Sequence, residues 1–588
     1  MLAHFDKLKT SLRSVHRYQT LDSQRERFHT RGWQHVDLWD LWEAWSGDDF
    51  ISSKERRALD DIEPFDEWEE LVLFGRHYLV LHATAAPSPT ARLEKRRQRE
   101  ELRPPVLDLG VVPHSTSRKA LKRRFGNAVS VSNIEGQLYG VHMLGLGENA
   151  RSETYDVYAL SHTKSPSLRV PLSGPLPRMC STSTDLGSHG VLFAGGRSSP
   201  AKAMSDCWLL KRGLSVSWTK VWDLPKPLYR HAAVRLPNSF LALVVGGKTG
   251  PASVSSDAFV LHPDKGWLTC HVSGTEAPIQ VFGAALVNAS KPAVEHGVFE
   301  GMLCGGMKQD GTLNRDAYWW RLELTDAEQP KLAAKKMNVD NRAQSILSVF
   351  GPSVIDLGSG AAICGGVGDE PSIQGQHIAL LHLEDGQVGG LSSYSPPKGS
   401  TGWPFMIGSS VLARSRQFTV FGGGAVCFSM GSYWESRSWD IELPPDSQCS
   451  YYNTLYSGPG TCEYLESPKV LGKAQDETES RQYGAEVGKQ AKATVAPIPR
   501  TRLTSGEDFR RYLQDGKPVV IEGLNVGDCL DKWTPAYLVE QVGKEKQVCG
   551  RMRSMIIETV TDPLSRWLFT SVVKIARRWT STLRTFNT

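Results

Sequence analysis

Histidine and aspartate two positions apart are the start of an iron site, because an imidazole nitrogen and a carboxylate oxygen on one strand face can share a metal. The sequence holds two such pairs, His35 with Asp37 and His262 with Asp264. Neither has a companion histidine in a fitting setting, so both read as chance. Glu63, Asp66, Glu67, Glu69 and Glu70 are dense enough to be taken for a cation site, but a run of this kind is ordinarily the solvated face of a helix, and that is the expectation here. Arg27 and Trp33 would suit a substrate carboxylate and a base. A surface ion pair and a core aromatic explain them better.

Arg118, Lys119, Lys122, Arg123 and Arg124 form the basic group best suited to phosphate contacts, since clustered cations gain from counterion release on a nucleic acid. Glu94, Glu100 and Glu101 in the charged stretch before them favour the plainer reading of a solvated linker. Global charge adds no argument for nucleic acid. The formal net charge is +5, and residues 551–588 alone carry seven Lys or Arg against two Asp or Glu, which accounts for the whole excess. The ten cysteines show no CxxC spacing; Cys304 and Cys364 end apolar runs directly before glycines and read as buried thiols in a reducing compartment. No catalytic, cofactor-binding or metal-ligating residue is assigned.

The elements that must position these groups come from a repeat. An apolar run ending in a glycine doublet recurs as VLFAGG, LALVVGG, GMLCGG, AAICGG and FTVFGG, with doublets Gly195–Gly196, Gly246–Gly247, Gly305–Gly306, Gly365–Gly366 and Gly422–Gly423. The intervals are 51, 59, 60 and 57 residues, and a worn copy at Gly145 lies 50 residues upstream, making six units. Twelve residues past each of the first five doublets stands Tyr158, Trp208, Phe259, Tyr318 or Ile378, and four of these have an aspartate two residues before: Asp156, Asp206, Asp257 and Asp316. In the sixth unit the nearest fitting aromatic, Trp439, is 16 residues past Gly423. This grammar resembles the kelch repeat, which implies a six-bladed β-propeller over 121–445. The glycines would turn the backbone at a crowded inner edge, and the later aromatic would fill the wedge between blades. Kelch blades ordinarily serve binding; His231, Trp267 and Trp403 could join a surface but suit blade packing better. Residues 106–109 are expected to add the outer strand that closes blade six.

At 588 residues the chain exceeds one core, and three to five domains are expected. In residues 1–86, Leu8, Leu12 and Val15 recur at helical spacing and a strand is expected near Leu79–Ala83. The series HFDKLKTSLRSVHRYQTLDSQRERFHTRGW, EPFDEWEE and HY resembles the C-terminal third of the leucine carboxyl methyltransferase family. In that family a Rossmann-like α/β domain binds S-adenosylmethionine, and its Gly-rich loop and acidic partner would lie upstream of Met1. Residues 87–120 read as a charged linker with one exposed helix, and 446–500 as a flexible linker. In 501–550 a helix is expected around Phe509–Leu513, a strand over Val519–Glu522 and a second helix from Pro535. That stretch resembles the opening of a JmjC domain, a cupin-like barrel that holds iron through an HxD pair and a distant histidine, all beyond the matched residues. The basic tail 551–588 fits neither and reads as intron read-through or a shifted frame.

The fold class expected is therefore multidomain and mainly β. The order of the three parts resembles a family of tRNA-modifying enzymes that finish the tricyclic wybutosine base of phenylalanine tRNA. They methylate its side-chain carboxylate from S-adenosylmethionine and then methoxycarbonylate the α-amino group. The resemblance implies phenylalanine tRNA as partner and S-adenosylmethionine as cofactor, while this chain, truncated at both ends, is expected to bind neither that cofactor nor iron. The alternatives are a non-catalytic kelch adaptor and a protein phosphatase leucine carboxyl methyltransferase. No membrane span, signal segment or DNA partner is expected, and the expected location is cytoplasmic.

Overall fold

Each repeat folds as an antiparallel sheet whose second strand is the apolar run before a doublet. In blade two, Thr182–Asp185, Val191–Ala194, Cys207–Lys211 and Ser217–Val221 lie side by side in chain order. Every residue of its second strand is buried, because that strand is covered by a neighbouring blade on each face. Six such sheets form a β-propeller. A computed structural model describes residues 14–84 except 49 and 63, and 110–113. It also describes 122–160 and 174–442 apart from short loop stretches, 463–470, and parts of 499–523.

All ten doublet glycines have positive φ, from 57° at Gly195 to 102° at Gly196. Crowding adds to this at Gly247, where a Cβ would sit 2.7 Å from the Cβ of His231 and 2.9 Å from its backbone nitrogen. The wedge positions are filled by Tyr158, Phe259 and Ile378, which are buried, and by the half-buried Trp208 and Tyr318. The delayed aromatic of blade six has a simple cause. The hairpin between the doublet and the third strand, short in blades two (Arg197–Ser199 with Lys202–Ala203) and three (Lys248–Gly250 with Ser253–Val254), is longer here, Gly424–Cys427 with Gly431–Trp434, so the third strand begins only at the fully buried Trp439.

Two blades take their fourth strand from elsewhere in the chain, and blade four adds a fifth, His271–Ser273, parallel to Lys331–Lys336. Blade six is completed by Gly110–Pro113, antiparallel to Trp439–Glu442. That is four residues later than predicted; residues 106–109 lie outside the described ones. Blade one, over Asn127–Ala159, is completed by Glu463–Val470, antiparallel to Thr154–Ala159. This strand falls in a segment read as a linker. An outer strand is held by backbone hydrogen bonds and needs little apolar sequence, so composition does not reveal it. Both additions tie distant parts of the chain into the ring.

The N-terminal residues pack on the propeller and belong with it to one compact unit. Their elements are α1 (Leu21–His29), β1 (His35–Asp40), α2 (Leu41–Ser46), α3 (Ser53–Ile62), α4 (Trp68–Gly75) and β2 (Leu79–Thr84). β1 and β2 pair antiparallel, from His35 opposite Thr84 to Asp40 opposite Leu79. Asp40 ends β1 and starts α2, its carboxylate accepting from Glu43 N at 2.7 Å in a capping box. A second compact unit begins at Ala485. Within it Arg500–Thr501 pairs in parallel with Val520–Ile521, and residues 508–509 and 511–512 are helical. Among the described residues no helix is long and apolar enough to cross a membrane.

Candidate functional site

One residue per blade lines the propeller axis: Phe125, Cys180, Arg230, Gly283, Gly351 and Gly408, all with φ between 54° and 68°. Their backbones form a belt. Phe125 N donates to Gly408 O (2.6 Å), Cys180 N to Phe125 O (3.1 Å), Arg230 N to Cys180 O (3.0 Å), Gly283 N to Arg230 O (2.7 Å) and Gly351 N to Gly283 O (2.8 Å). Three of the six are glycines, so one half of the belt lacks side chains. The other half bears Arg230, whose guanidinium lies between the rings of Phe125 (5.0 Å) and Phe350 (4.8 Å).

The acidic run fills this mouth. Glu69 of α4 accepts two hydrogen bonds from Arg230, at 2.6 and 3.0 Å, and its Oε1 lies 3.0 Å from where a Cβ on Gly351 would be. Glu70 accepts from Arg124 at 2.5 Å, and Asp66 pairs with Arg197, whose guanidinium lies 4.9 Å from the centre of the Tyr229 ring. Glu69 and Glu70 are 1% and 5% exposed. The expected solvated face is therefore corrected: of the run, only Glu67 is exposed, and Glu63 lies outside the described residues. Burial works against a charge on Arg230, yet the Glu69 carboxylate overcomes it and holds the guanidinium pKa above its ordinary value. Around the ion pairs the cap is pinned by indoles. Trp42 Nε1 donates to Asp369 (3.0 Å) and Trp45 Nε1 to Gly311 O (3.0 Å), while the Trp68 ring covers Gly311 so closely that no side chain would fit there.

Of the basic residues singled out for phosphate contacts, Arg123 and Arg124 are buried and unavailable. Arg123 binds Asp156 at 3.2 Å, with both side chains fully buried. It is the blade-one counterpart of Arg178, which forks onto Asp206 at 2.7 Å through both nitrogens. Asp156 and Asp206 thus anchor a buried arginine each, whereas Asp257 and Asp316 pair with the exposed Lys226 and Lys336. Lys122 is exposed and pairs with Glu148 at 2.5 Å; Arg118 and Lys119 lie outside the described residues. His231 is a packing residue, bonded to Thr182 at 2.8 Å and buried enough to push its pKa down to about 4. Trp403 is buried, whereas Trp267 is half-buried and donates to Trp222 O at 2.8 Å. Cys304 and Cys364 are buried, and burial raises the Cys304 thiol to about 12.

Sequence reasoning singled out Glu69 and Glu70 but read them as a solvated face, and it missed Arg230. The belt leaves a faint trace: FGNAV, CSTST, RHAAV, GAALV, GPSVI and GSSVL each start at a belt residue and run on in small residues. Nothing in WEELVLFG marks its acids as buried.

The resemblances bring two groups to test against the described residues. For S-adenosylmethionine, the acidic residue at a strand end is Asp40, but its carboxylate already caps α2 and accepts from Arg76 at 3.2 Å. For iron, His35 Nε2 lies 2.6 Å from Asp37, and strand pairing brings His82 Nδ1 within 3.9 Å of the same carboxylate. His262 Nδ1 instead accepts from Asp264 N and Lys265 N in a turn. Among the described residues no group of three or more His, Cys, Asp or Glu is placed to hold a metal. Neither group fits.

Comparison with known proteins gives the following. A family model described as tRNA wybutosine-synthesizing protein 4, beta-propeller, matches residues 175–437. A protein of Gibberella zeae named tRNA wybutosine-synthesizing protein 4 is 43% identical over 93% of this chain and 52% of its own length. Its namesakes in Neurospora crassa and Saccharomyces cerevisiae are 32% and 26% identical, over 93% and 74% of this chain and 49% and 60% of their own lengths. The chain spans about half the length of the first two relatives.

Proposed function

We propose that this chain, a homologue of tRNA wybutosine-synthesizing protein 4 with a propeller of that family's kind, works in wybutosine biosynthesis on phenylalanine tRNA. What carries the reading is similarity over 93% of the chain, running through both the N-terminal cap and the propeller. The chemistry that the resemblance brings is methylation of the wybutosine precursor's side-chain carboxylate from S-adenosylmethionine, followed by methoxycarbonylation of its amino group. The carboxylate is already a nucleophile, so holding it in line with the methyl donor supplies most of the acceleration.

No methyl-transfer step is assigned to the described residues, because the cofactor does not fit among them. Their part is positioning. Buried ion pairs at the axis, flanked by indole hydrogen bonds, tie the cap and propeller into one compact unit, so an RNA held on the propeller would keep a set relation to the cap. A JmjC-like segment over 501–550 and a reducing, cytoplasmic location complete the proposal; the described cysteines are free thiols.

The test is capture of tRNA by the purified chain from total tRNA of a strain lacking wybutosine synthesis. Enrichment of phenylalanine tRNA over other tRNAs is expected. Equal retention of all tRNAs, or none, overturns the reading and leaves a propeller that binds protein.

A further inference from the structure

At the capped mouth Arg124, Arg197 and Arg230 are buried against carboxylates of the cap and offer a ligand nothing; the exposed aromatic rings of the propeller lie elsewhere. Four large apolar side chains of the described propeller are exposed, Leu176, Trp222, Phe240 and Tyr433, and two of them line one groove between blades two and three. The groove has a volume of about 460 Å³, within the range of sites that take a ligand of nucleotide size. Trp222 is 49% exposed and Phe240 39%. His189 packs on Phe240 with ring centres 4.0 Å apart, and the Arg235 guanidinium lies 5.8 Å from the same ring.

Lys211 and Arg212 stand on the groove wall. Arg212 is partly engaged by Asp185 at 2.6 Å, while Lys211 has no ion pair among the described residues. Among the residues lining the groove Asp264 is the single carboxylate, against Lys211 and Arg212. His189 lies just before the second strand of blade two and the doublet Gly195–Gly196 just after it, so these residues lie at the opposite end of that strand from the capped mouth.

Exposed aromatic faces bordered by cations are what an unpaired nucleobase and its phosphates require: every base has a π-face, and stacking tolerates any sequence. We propose that this groove is a docking site for an unstacked nucleotide of the bound RNA, with the base on Trp222 or Phe240 and the flanking phosphates on Lys211 and Arg212. The proposal rests on the tRNA reading above and adds to it the place of contact.

Fluorescence anisotropy with a phenylalanine tRNA transcript tests it on the full chain. Trp222→Ala with Phe240→Ser should weaken binding roughly tenfold or more, whereas Trp222→Phe keeps a stacking face and should bind nearly as wild type. Lys211→Glu with Arg212→Glu should weaken binding and flatten its salt dependence by about two phosphate contacts. Lys211, Trp222 and Phe240 are exposed, so Trp222→Ala with Phe240→Ser and Lys211→Glu alone should leave the melting temperature unchanged, while Arg212, 21% exposed and paired with Asp185, can shift it slightly. Cross-linking of a 4-thiouridine transcript to the wild-type chain gives a second readout, with adducts expected on peptides containing Trp222 or Phe240. If the wild-type chain fails to bind tRNA, the tRNA reading falls and the groove with it. If it binds, but both double variants bind as tightly or the cross-links map elsewhere, the groove alone is overturned; so it is if the aromatic variants lose only a captured protein.

Discussion

The capped mouth and the groove between blades two and three both collect cations beside aromatic rings, and they do opposite things with them. At the mouth, Arg124, Arg197 and Arg230 are 2%, 3% and 8% exposed, and each pairs with a carboxylate of the cap. In the groove, Lys211 and Arg212 keep contact with water and the Trp222 and Phe240 rings stay partly exposed. A buried guanidinium demands its carboxylate, so the charges at the mouth set the geometry of the molecule. Charges in a high-dielectric groove are held weakly and can be exchanged for those of a ligand.

Removing one partner at the mouth should have the largest effect on stability. Glu69→Ala leaves Arg230 buried and unpaired and should cost about 3–5 kcal/mol, read as a lower denaturant midpoint. The comparison is sharpened by Glu69→Gln with Arg230→Met, which should recover much of that loss because no orphan charge remains. A Glu69→Ala protein as stable as wild type would make the mouth equivalent to the groove.

Acid should act next, through the blades. Burial lowers His231 and His377 to about 4 and His142 well below its ordinary value. Their folded pKa values are depressed, so the unfolded chain binds more protons between about pH 6.5 and 4. The stability these neutral rings contribute is complete above about pH 6.5 and is lost as pH falls through that window. At pH 5 the loss should reach about 2 kcal/mol for a histidine shifted to about 4. A melting temperature unchanged from pH 7 to pH 5 would contradict this.

The smallest effect is expected at an exposed pair. Lys122 and Glu148 lie 2.5 Å apart with about half of each side chain in water. Lys122→Ala should therefore change stability by less than about 1 kcal/mol, whereas Arg123→Ala, one residue on and fully buried against Asp156, should be strongly destabilising. Equal melting curves for the two variants would erase the distinction between open and enclosed cations along this stretch.

That pair of neighbours shows how far the sequence reaches. Lys122, Arg123 and Arg124 look alike in the chain, and as a cluster they suggest phosphate. In the fold one meets water, one anchors a blade and one meets Glu70 of the cap. The sequence by itself determined the propeller, its six units and the positive-φ glycines, because those depend on patterns repeated within about 60 residues: an apolar strand, a turn that only glycine adopts easily, and an aromatic at a fixed offset. Blade six's late aromatic needed only the longer hairpin of that blade to make sense. The sequence suggested a strand that closes blade six at 106–109. Tertiary structure alone decided its place at 110–113 and the strand at 463–470, since an outer strand is held by its backbone and leaves little trace in side chains. It alone decided that an acidic helix face is buried, because Glu69 meets Arg230 across 161 residues of chain, and a carboxylate's surroundings are fixed by what docks on it.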